Sequence, residues 1–169
     1  DDVSFERILG DVMKIVEDLL EASEISIYLR EEPSLDLKPR ALRRSGAARF
    51  DGLEREDRSL VDAALALKRT LRRVERGEVA IATLLYADSE IDGVLAARLP
   101  LAGREEEELG EAERALEALA KHVALAVTKP ALYDRAVVDQ LTRLYTKRHF
   151  VSQLARYVAT SRRTGAPLS

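Results

Sequence analysis

The sequence contains 30 aspartate and glutamate residues, but it lacks the constellations of residues that nucleophilic, metal or phosphate chemistry requires. It contains no cysteine and only two histidines, His122 and His149, which lack close partners at metal-ligand spacing. No glycine-rich loop of the kind that holds phosphates is present. Glu17 and Glu21 lie one helical turn apart, which is typical of a solvated helix face. We therefore predict no catalytic residue and no metal site in this chain.

Length and composition indicate one domain with a real core and a small additional piece. The chain has 169 residues, of which 46% are hydrophobic and 34% charged. The net charge of −3 disfavours nucleic acid as a partner, and the basic runs 38–44 and 68–73 are not interleaved with aromatic residues. No apolar run reaches the ~20 residues of a membrane span. Together with the lack of cysteine, this favours a cytoplasmic protein.

The spacing of apolar residues predicts the elements that must position any site. Helical spacing over 5–20 predicts an amphipathic helix, and alternation over 24–30 predicts a half-buried strand. A second strand follows over 35–44, where Pro39 restricts it to a sheet edge. Further patterns predict a helix over 53–68 and three antiparallel strands over 70–76, 78–88 and 91–101, joined by turns at Gly77 and at 88–89.

The last predicted helix carries a heptad pattern. From Leu109 onward, apolar residues step alternately by three and four positions. We expect its first half, to about residue 127, to pack on its own sheet. We also expect it to form the seam of a parallel homodimer through Leu116, Val123, Tyr133 and Val137. Pro130 is predicted to bend or break this helix.

The order of these elements resembles a GAF domain, a sensory module. The resemblance is carried by LLYADSEIDGVLAARLP (84–100) and EALAKHVALAVTKPALYDR (117–135). It implies an α+β fold over residues 1–128: an antiparallel sheet with the terminal helices together on one face, followed by a long C-terminal signalling helix. It also implies a pocket for an unidentified small-molecule effector, with Tyr28, Arg43, Tyr86 and Arg98 as candidate lining residues. Without cysteine, a thioether-linked bilin is excluded.

The segment DQLTRLYTKRHF (139–150) is similar to the entry motif of GGDEF domains, the diguanylate cyclase family. The matching residues are Asp139, Leu141, Thr142, Leu144, Arg148 and Phe150, whereas Thr146 and Lys147 stand where the family usually has asparagine and arginine. The resemblance implies that residues 139–169 begin a GGDEF domain and that 129–138 form the linker. The GTP and magnesium sites of that domain would lie beyond Ser169.

These features predict a regulatory sensor and dimerisation domain that controls a diguanylate cyclase. By resemblance, Asp139 and Arg148 pair across a coupling turn that Leu141 and Leu144 anchor, with Thr142 shaping it locally. The cyclase would make cyclic di-GMP from GTP, while this chain alone would be inactive. The alternative is a ligand-free GAF module that only dimerises and feeds a degenerate or different output domain.

Overall fold

The computed structural model describes residues 2–53 and 58–129, which form an α+β fold around a six-stranded antiparallel sheet. The strand order is β3-β2-β1-β6-β5-β4. The elements are α1 (Asp2–Leu20), β1 (Glu24–Glu31), β2 (Asp36–Arg44), β3 (Ala47–Arg49), α2 (Ser59–Leu67), β4 (Leu71–Glu75), β5 (Glu78–Ala87), β6 (Glu90–Pro100) and α3 (Glu106–Thr128). The predicted fold class is confirmed, and the part of the signalling helix beyond Lys129 lies outside the described residues.

Helices α1 and α3 lie together on one face of the sheet, as the sequence predicts. Their apolar stripes enclose the main core, in which Leu9, Met13, Leu116 and Leu119 are almost completely buried. Because a helix shows the same face every three to four residues, these stripes cover the odd-numbered β1 side chains Ile25 and Ile27. Burial of such side chains is the main source of stability in this layer.

The heptad pattern of α3 is explained by packing within the chain. Leu116 and Val123 are only 0% and 2% exposed, and both belong to the core formed with α1 and the sheet. These two side chains therefore do not offer a surface to a second chain, which corrects their assignment to a dimer seam. The other two proposed seam residues, Tyr133 and Val137, lie outside the described residues.

Strand β1 is buried on both faces, whereas the alternating pattern predicted a half-buried strand. Ser26 and Tyr28 are 3% and 0% exposed although they point away from α1 and α3. They are covered because α2 packs on this second face, where Val61 and Ala64 join Tyr28 in a smaller apolar cluster. Helix α2 begins at Ser59, later than the predicted start at residue 53, and residues 54–57 are not described.

Strand β2 has a neighbour that the sequence did not predict. The short strand β3 pairs with β2 from Leu42 to Arg44, so β2 is an edge strand only over its first part. Pro39 lies in that part, and a register shift opposite Ile27 and Tyr28 leaves Arg40 as the extra residue. A proline without an amide hydrogen is tolerated there because no described strand pairs with it on the outer side.

The last three strands form the predicted meander. Arg76 and Gly77 both have positive φ, at 50° and 75°, and they link β4 to β5 where Glu75 faces Glu78. This two-residue connection matches the twist of antiparallel strands. In β6, Gly93 lies where β1 approaches closely, since a Cβ at this position would come 2.2 Å from the carbonyl oxygen of Tyr28.

We predict that Gly93→Ala lowers the free energy of unfolding by at least about 1–3 kcal/mol, because the clash is with backbone that cannot move independently. The matched control is Gly10→Ala in α1, where the nearest atom would be Phe50 Cζ at 3.8 Å. That change should stabilise the protein by about 0.5–1 kcal/mol through helix propensity. Urea unfolding of both variants measures this, and equal effects would contradict the close approach.

Candidate functional site

A small cavity lies between α2 and the sheet, and strand alternation determines which side chains reach it. Even-numbered residues of β1 face α2, so Glu24, Ser26 and Tyr28 line the cavity. Arg98 of β6 pairs directly with Glu24 in the sheet register and therefore lies on the same face. The cavity is thus a consequence of the same alternation that places Ile25 and Ile27 in the main core.

Charged side chains of four strands form a continuous row at one end of this cavity. Arg44 donates to Glu24 Oε2 through Nε at 2.9 Å and Nη2 at 2.7 Å. Arg98 Nη1 donates to Glu75 Oε1 at 3.1 Å, while its Nε lies 4.0 Å from Glu24 Oε1. Arg73 Nε is 3.2 Å from Glu75 Oε2. Positive and negative groups alternate along the row, so each charge has an opposite neighbour.

The row of charges contacts α2 at Ser59, the first residue of that helix. Arg73 Nη1 donates to Ser59 Oγ at 2.8 Å, which connects the edge strand β4 to the beginning of the helix. Glu24 is the most deeply buried charged group of the row, with a side chain only 9% exposed. A carboxylate buried to this degree is stable only when it is paired, so the two arginines beside Glu24 are structural requirements.

Arg58 closes the cavity from the α2 side. Its guanidinium lies 5.2 Å from the centroid of the Tyr28 ring, and its Nη2 donates to the carbonyl oxygen of Leu37 at 3.0 Å. A planar cation stacked on an aromatic ring is held in a fixed orientation. Arg58 was not among the predicted site residues. The sequence predicts one continuous helix over 53–68, so no local pattern marks Arg58 as the residue that precedes α2.

The cavity is small for a binding site. Its volume is about 30 Å³, whereas pockets for drug-sized ligands typically enclose about 300–1,000 Å³. A space of this size holds one or two water molecules or an ion of a few atoms. The lining includes the guanidinium groups of Arg58, Arg73 and Arg98. In this arrangement the site is suited to binding a small anion, not to enclosing a nucleotide.

The four predicted pocket residues are divided among three places. Tyr28 and Arg98 do line the same cavity. Arg43 lies on the opposite face, where its Nε donates to Glu17 Oε2 of α1 at 2.9 Å. Tyr86 is 48% exposed and lines a separate groove beside α3. Arg43 and Tyr86 are therefore not part of the α2-face cavity. Arg43 pairs directly with Ile25 and so shares its face of the sheet. Tyr86 lies near the end of β5, six residues beyond Ala80, which does line the cavity.

Comparison with known proteins identifies the fold. No family model and no curated protein matches the sequence. The GAF domain of a sensor histidine kinase from Bacillus halodurans aligns with a TM-score of 0.53 at 18% identity, covering 76% of this chain and 96% of that one. The GAF-B domain of DevS from Mycobacterium smegmatis gives 0.52 at 17% identity, with 78% and 98% covered. A GAF/HD domain protein from Geobacter sulfurreducens gives 0.53 at 13% identity, with 76% and 94% covered.

This chain has a GAF-domain fold. In that fold the α2-face cavity lies between the sheet and a facing helix. Across residues 2–53 and 58–129, no group of three or more histidine, aspartate or glutamate side chains is arranged to hold a metal ion. None of the helices in that part of the chain is both long and apolar enough to cross a membrane.

His122 lies on α3 of the GAF fold, away from the α2-face cavity. It is partly buried, and this burial lowers the pKa of its imidazole, with a further lowering from the neighbouring Lys121 ammonium. Because the folded protein disfavours the protonated form, the unfolded chain binds protons more readily. His122 therefore contributes stability above its unfolded pKa of about 6.5, and that contribution is lost as the pH falls below this value.

We predict that His122→Gln reduces the loss of stability between pH 7.5 and pH 5.5, because glutamine does not titrate in this range. Urea unfolding midpoints of parent and variant at both pH values provide the measurement. His149→Gln is the matched control for the other histidine and should leave the pH dependence of folding closer to that of the parent. An unchanged pH dependence in His122→Gln would assign the effect to other groups.

We predict that Arg98→Met destabilises the protein by about 1–3 kcal/mol, because it leaves the buried carboxylate of Glu24 and the partly buried carboxylate of Glu75 with fewer partners. Lys129→Met is the control, since Lys129 and Asp88 form an exposed pair at 3.9 Å and exposed pairs contribute at most about 1 kcal/mol. Thermal or urea unfolding compares the two. Equal losses would show that the charged row has no special role in stability.

Proposed function

We propose that this chain is a regulatory sensor domain that controls a C-terminal diguanylate cyclase. The observation that carries the proposal is that neighbouring residues of β4 hold the two helices on opposite faces of the sheet. Arg73 bonds to Ser59 of α2, whereas Arg72 pairs with Glu106 and, at 3.5 Å, with Glu113 of α3. A change at the α2-face cavity therefore has a short physical route to the C-terminal helix.

The effector we propose is an anion of a few non-hydrogen atoms. Three guanidinium groups, those of Arg58, Arg73 and Arg98, line the cavity. Glu75 occupies a position between two of them, with contacts of 3.1 and 3.2 Å. An incoming anion would compete with Glu75 for these arginines, since guanidinium groups form strong charge-assisted hydrogen bonds with oxyanions. Binding would thereby alter the contact of Arg73 with Ser59.

The position of β4 suits it to transmit such a change. It is the last strand of the sheet and pairs only with β5 among the described strands, so it has fewer restraints than the central strands. On its other face, burial raises the pKa of Glu113, and the nearby Arg72 guanidinium opposes that rise. The ion pair of Arg72 with Glu113, at 3.5 Å, links the first part of α3 to β4.

The output is proposed from the sequence that follows α3. Residues 139–169 would begin the GGDEF domain, with 129–138 as the linker. Asp139, Leu141, Thr142, Leu144 and Arg148 would form the coupling turn. Two copies would associate through the linker, using Tyr133 and Val137, because cyclic di-GMP is built from two GTP molecules. GTP and magnesium would bind in the catalytic part of that domain.

The protein encoded by the complete reading frame tests this proposal. We expect a GGDEF signature after residue 169 and conversion of GTP to cyclic di-GMP. Ser59→Ala should change the rate, because it removes the contact between α2 and β4, whereas Leu67→Ala on the exposed side of α2 should not. A different output domain would overturn the cyclase assignment. An active cyclase that responds equally to both variants would overturn the proposed route from α2.

The alternative is a GAF domain that binds no ligand and serves only for association. The observation that favours it is the small volume of the α2-face cavity, about 30 Å³. Titration of the chain with nitrate, acetate and phosphate, followed by the amide NMR signals of residues 58–62 and 71–75, distinguishes the two. Saturable shifts that Arg98→Met abolishes support the sensor. Their absence for all three anions supports the ligand-free module.

A further inference from the structure

A second and much larger concave surface lies beside β5, between α3 and the connection from α2 to β4. The proposed function does not use it. This groove has a volume of about 500 Å³ and runs between the C-terminal half of α3 and the end of β5. Its floor includes Leu84 and Tyr86, and its α3 wall includes Ala120, Ala124 and Leu125. We refer to it as the β5 groove.

The groove follows a stretch of β5 that lacks a neighbour on one side. Strand β4 begins at Leu71, which pairs with Ala82, and Thr70 Oγ1 then lies 2.7 Å from Thr83 Oγ1. From Leu84 to Ala87, β5 pairs with β6, and no described strand pairs with it on the opposite side. These four residues extend for about 14 Å at about 3.4 Å per residue. An open edge of this length is a template for an added strand.

The chain itself leaves α3 at the open end of this groove. Lys129 lines the groove, and its Nζ lies 3.9 Å from Asp88, the residue after β5. Helix α3 ends at Thr128, and Lys129 has φ −136° and ψ 63°, outside the helical region. The following Pro130 has no amide hydrogen and favours an extended conformation before it. A segment that continues from this point towards Leu84 would run antiparallel to β5.

The exit point of α3 and the length of the following segment favour the next residues of this chain as the occupant. Lys68, Arg69, Lys121 and Lys129 line the groove, where they outnumber the carboxylates of Asp88 and Glu117 by two. The sequence after Pro130 is ALYDRA, which supplies apolar Leu132, aromatic Tyr133 and acidic Asp134, followed by basic Arg135. Asp134 is five residues beyond Lys129, a reach of about 17 Å when extended. In an added strand, that reach would be long enough to bring its carboxylate to the end of the groove formed by Lys68 and Arg69.

We propose that residues 131–136 dock in the β5 groove as an added antiparallel strand beside Leu84–Ala87. Docking would pair the free edge of β5, cover the exposed Tyr86 ring and place Asp134 near the cations of the α2–β4 connection. It would also fix the direction in which the chain leaves the domain. The linker would then have a docked and a released state. This proposal does not depend on which domain follows the linker.

Disulfide trapping in the full chain tests the docked position, since the sequence contains no cysteine. Tyr86→Cys is combined with Leu132→Cys or with Tyr133→Cys, because neighbouring residues of a strand face opposite sides. One of these pairs should close within a chain about tenfold faster than the same partner combined with Val74→Cys. Val74 is a matched control because it lies on edge strand β4 and is 53% exposed, compared with 48% for Tyr86.

Equal closure rates for the Tyr86 and Val74 pairs would overturn the proposal. Disulfides formed between chains would also overturn it, and would assign the groove to a second copy. Hydrogen exchange gives a readout without cysteines: Tyr133→Pro should speed exchange at Leu84–Ala87 by about tenfold, because proline removes a donor from the added strand. Val74→Ala serves as the control, because Val74 is an exposed residue of the edge strand β4 and does not line the groove. Exchange unaffected by Tyr133→Pro would contradict docking.

Discussion

The burial of β1 on both of its faces is the constraint on which the rest of this structure depends. Ile25 and Ile27 belong to the core beneath α1 and α3, while Ser26 and Tyr28 are covered from the α2 side. A strand in this position separates two layers of different chemistry. The first layer is apolar and supplies most of the stability, whereas the second combines an apolar cluster with a row of paired charges.

The two layers are connected through the edge strand β4, not through the central strands. Arg72 and Arg73 of β4 point to opposite faces because successive residues of a strand alternate. One holds the beginning of α3 and the other holds the beginning of α2. Their arrangement makes an edge strand the connection between the α2-face cavity and the C-terminal helix. The open end of β5 beside this connection gives the chain a second surface by which its exit direction can be set.

The sequence predicted those parts of the fold that depend on local periodicity. Helix α1, the β4–β6 meander and the first half of α3 follow from apolar spacing and turn residues, and the structure contains them. Burial of Ser26 and Tyr28 was not predictable in this way, because it depends on where α2 packs. The start of α2 and the role of Arg58 were missed for the same reason, since nothing in the local pattern separates Arg58 from the helix after it.

The candidate site was only partly predictable, because a site depends on register. Tyr28 and Arg98 share a face through the pairing of Glu24 with Arg98. Arg43 pairs with Ile25 and so points to α1. Tyr86 lies six residues beyond Ala80 on β5, outside the part of the strand that lines the cavity. Neither feature can be read from alternation along one strand. The heptad of α3 had two explanations in the sequence, and for Leu116 and Val123 the intramolecular core is the one that the fold selects.

The central claim is that β4 connects the α2 face to α3. Backbone amide chemical shifts of the chain, compared between the parent and Ser59→Ala, test it most directly. Ser59 touches β4 through Arg73 and lies on the opposite face of the sheet from α3. The account predicts shift changes in β4 that continue into the first two turns of α3, from Glu106 to Glu113. Changes confined to α2 and β4, with the α3 signals unaltered, would contradict it.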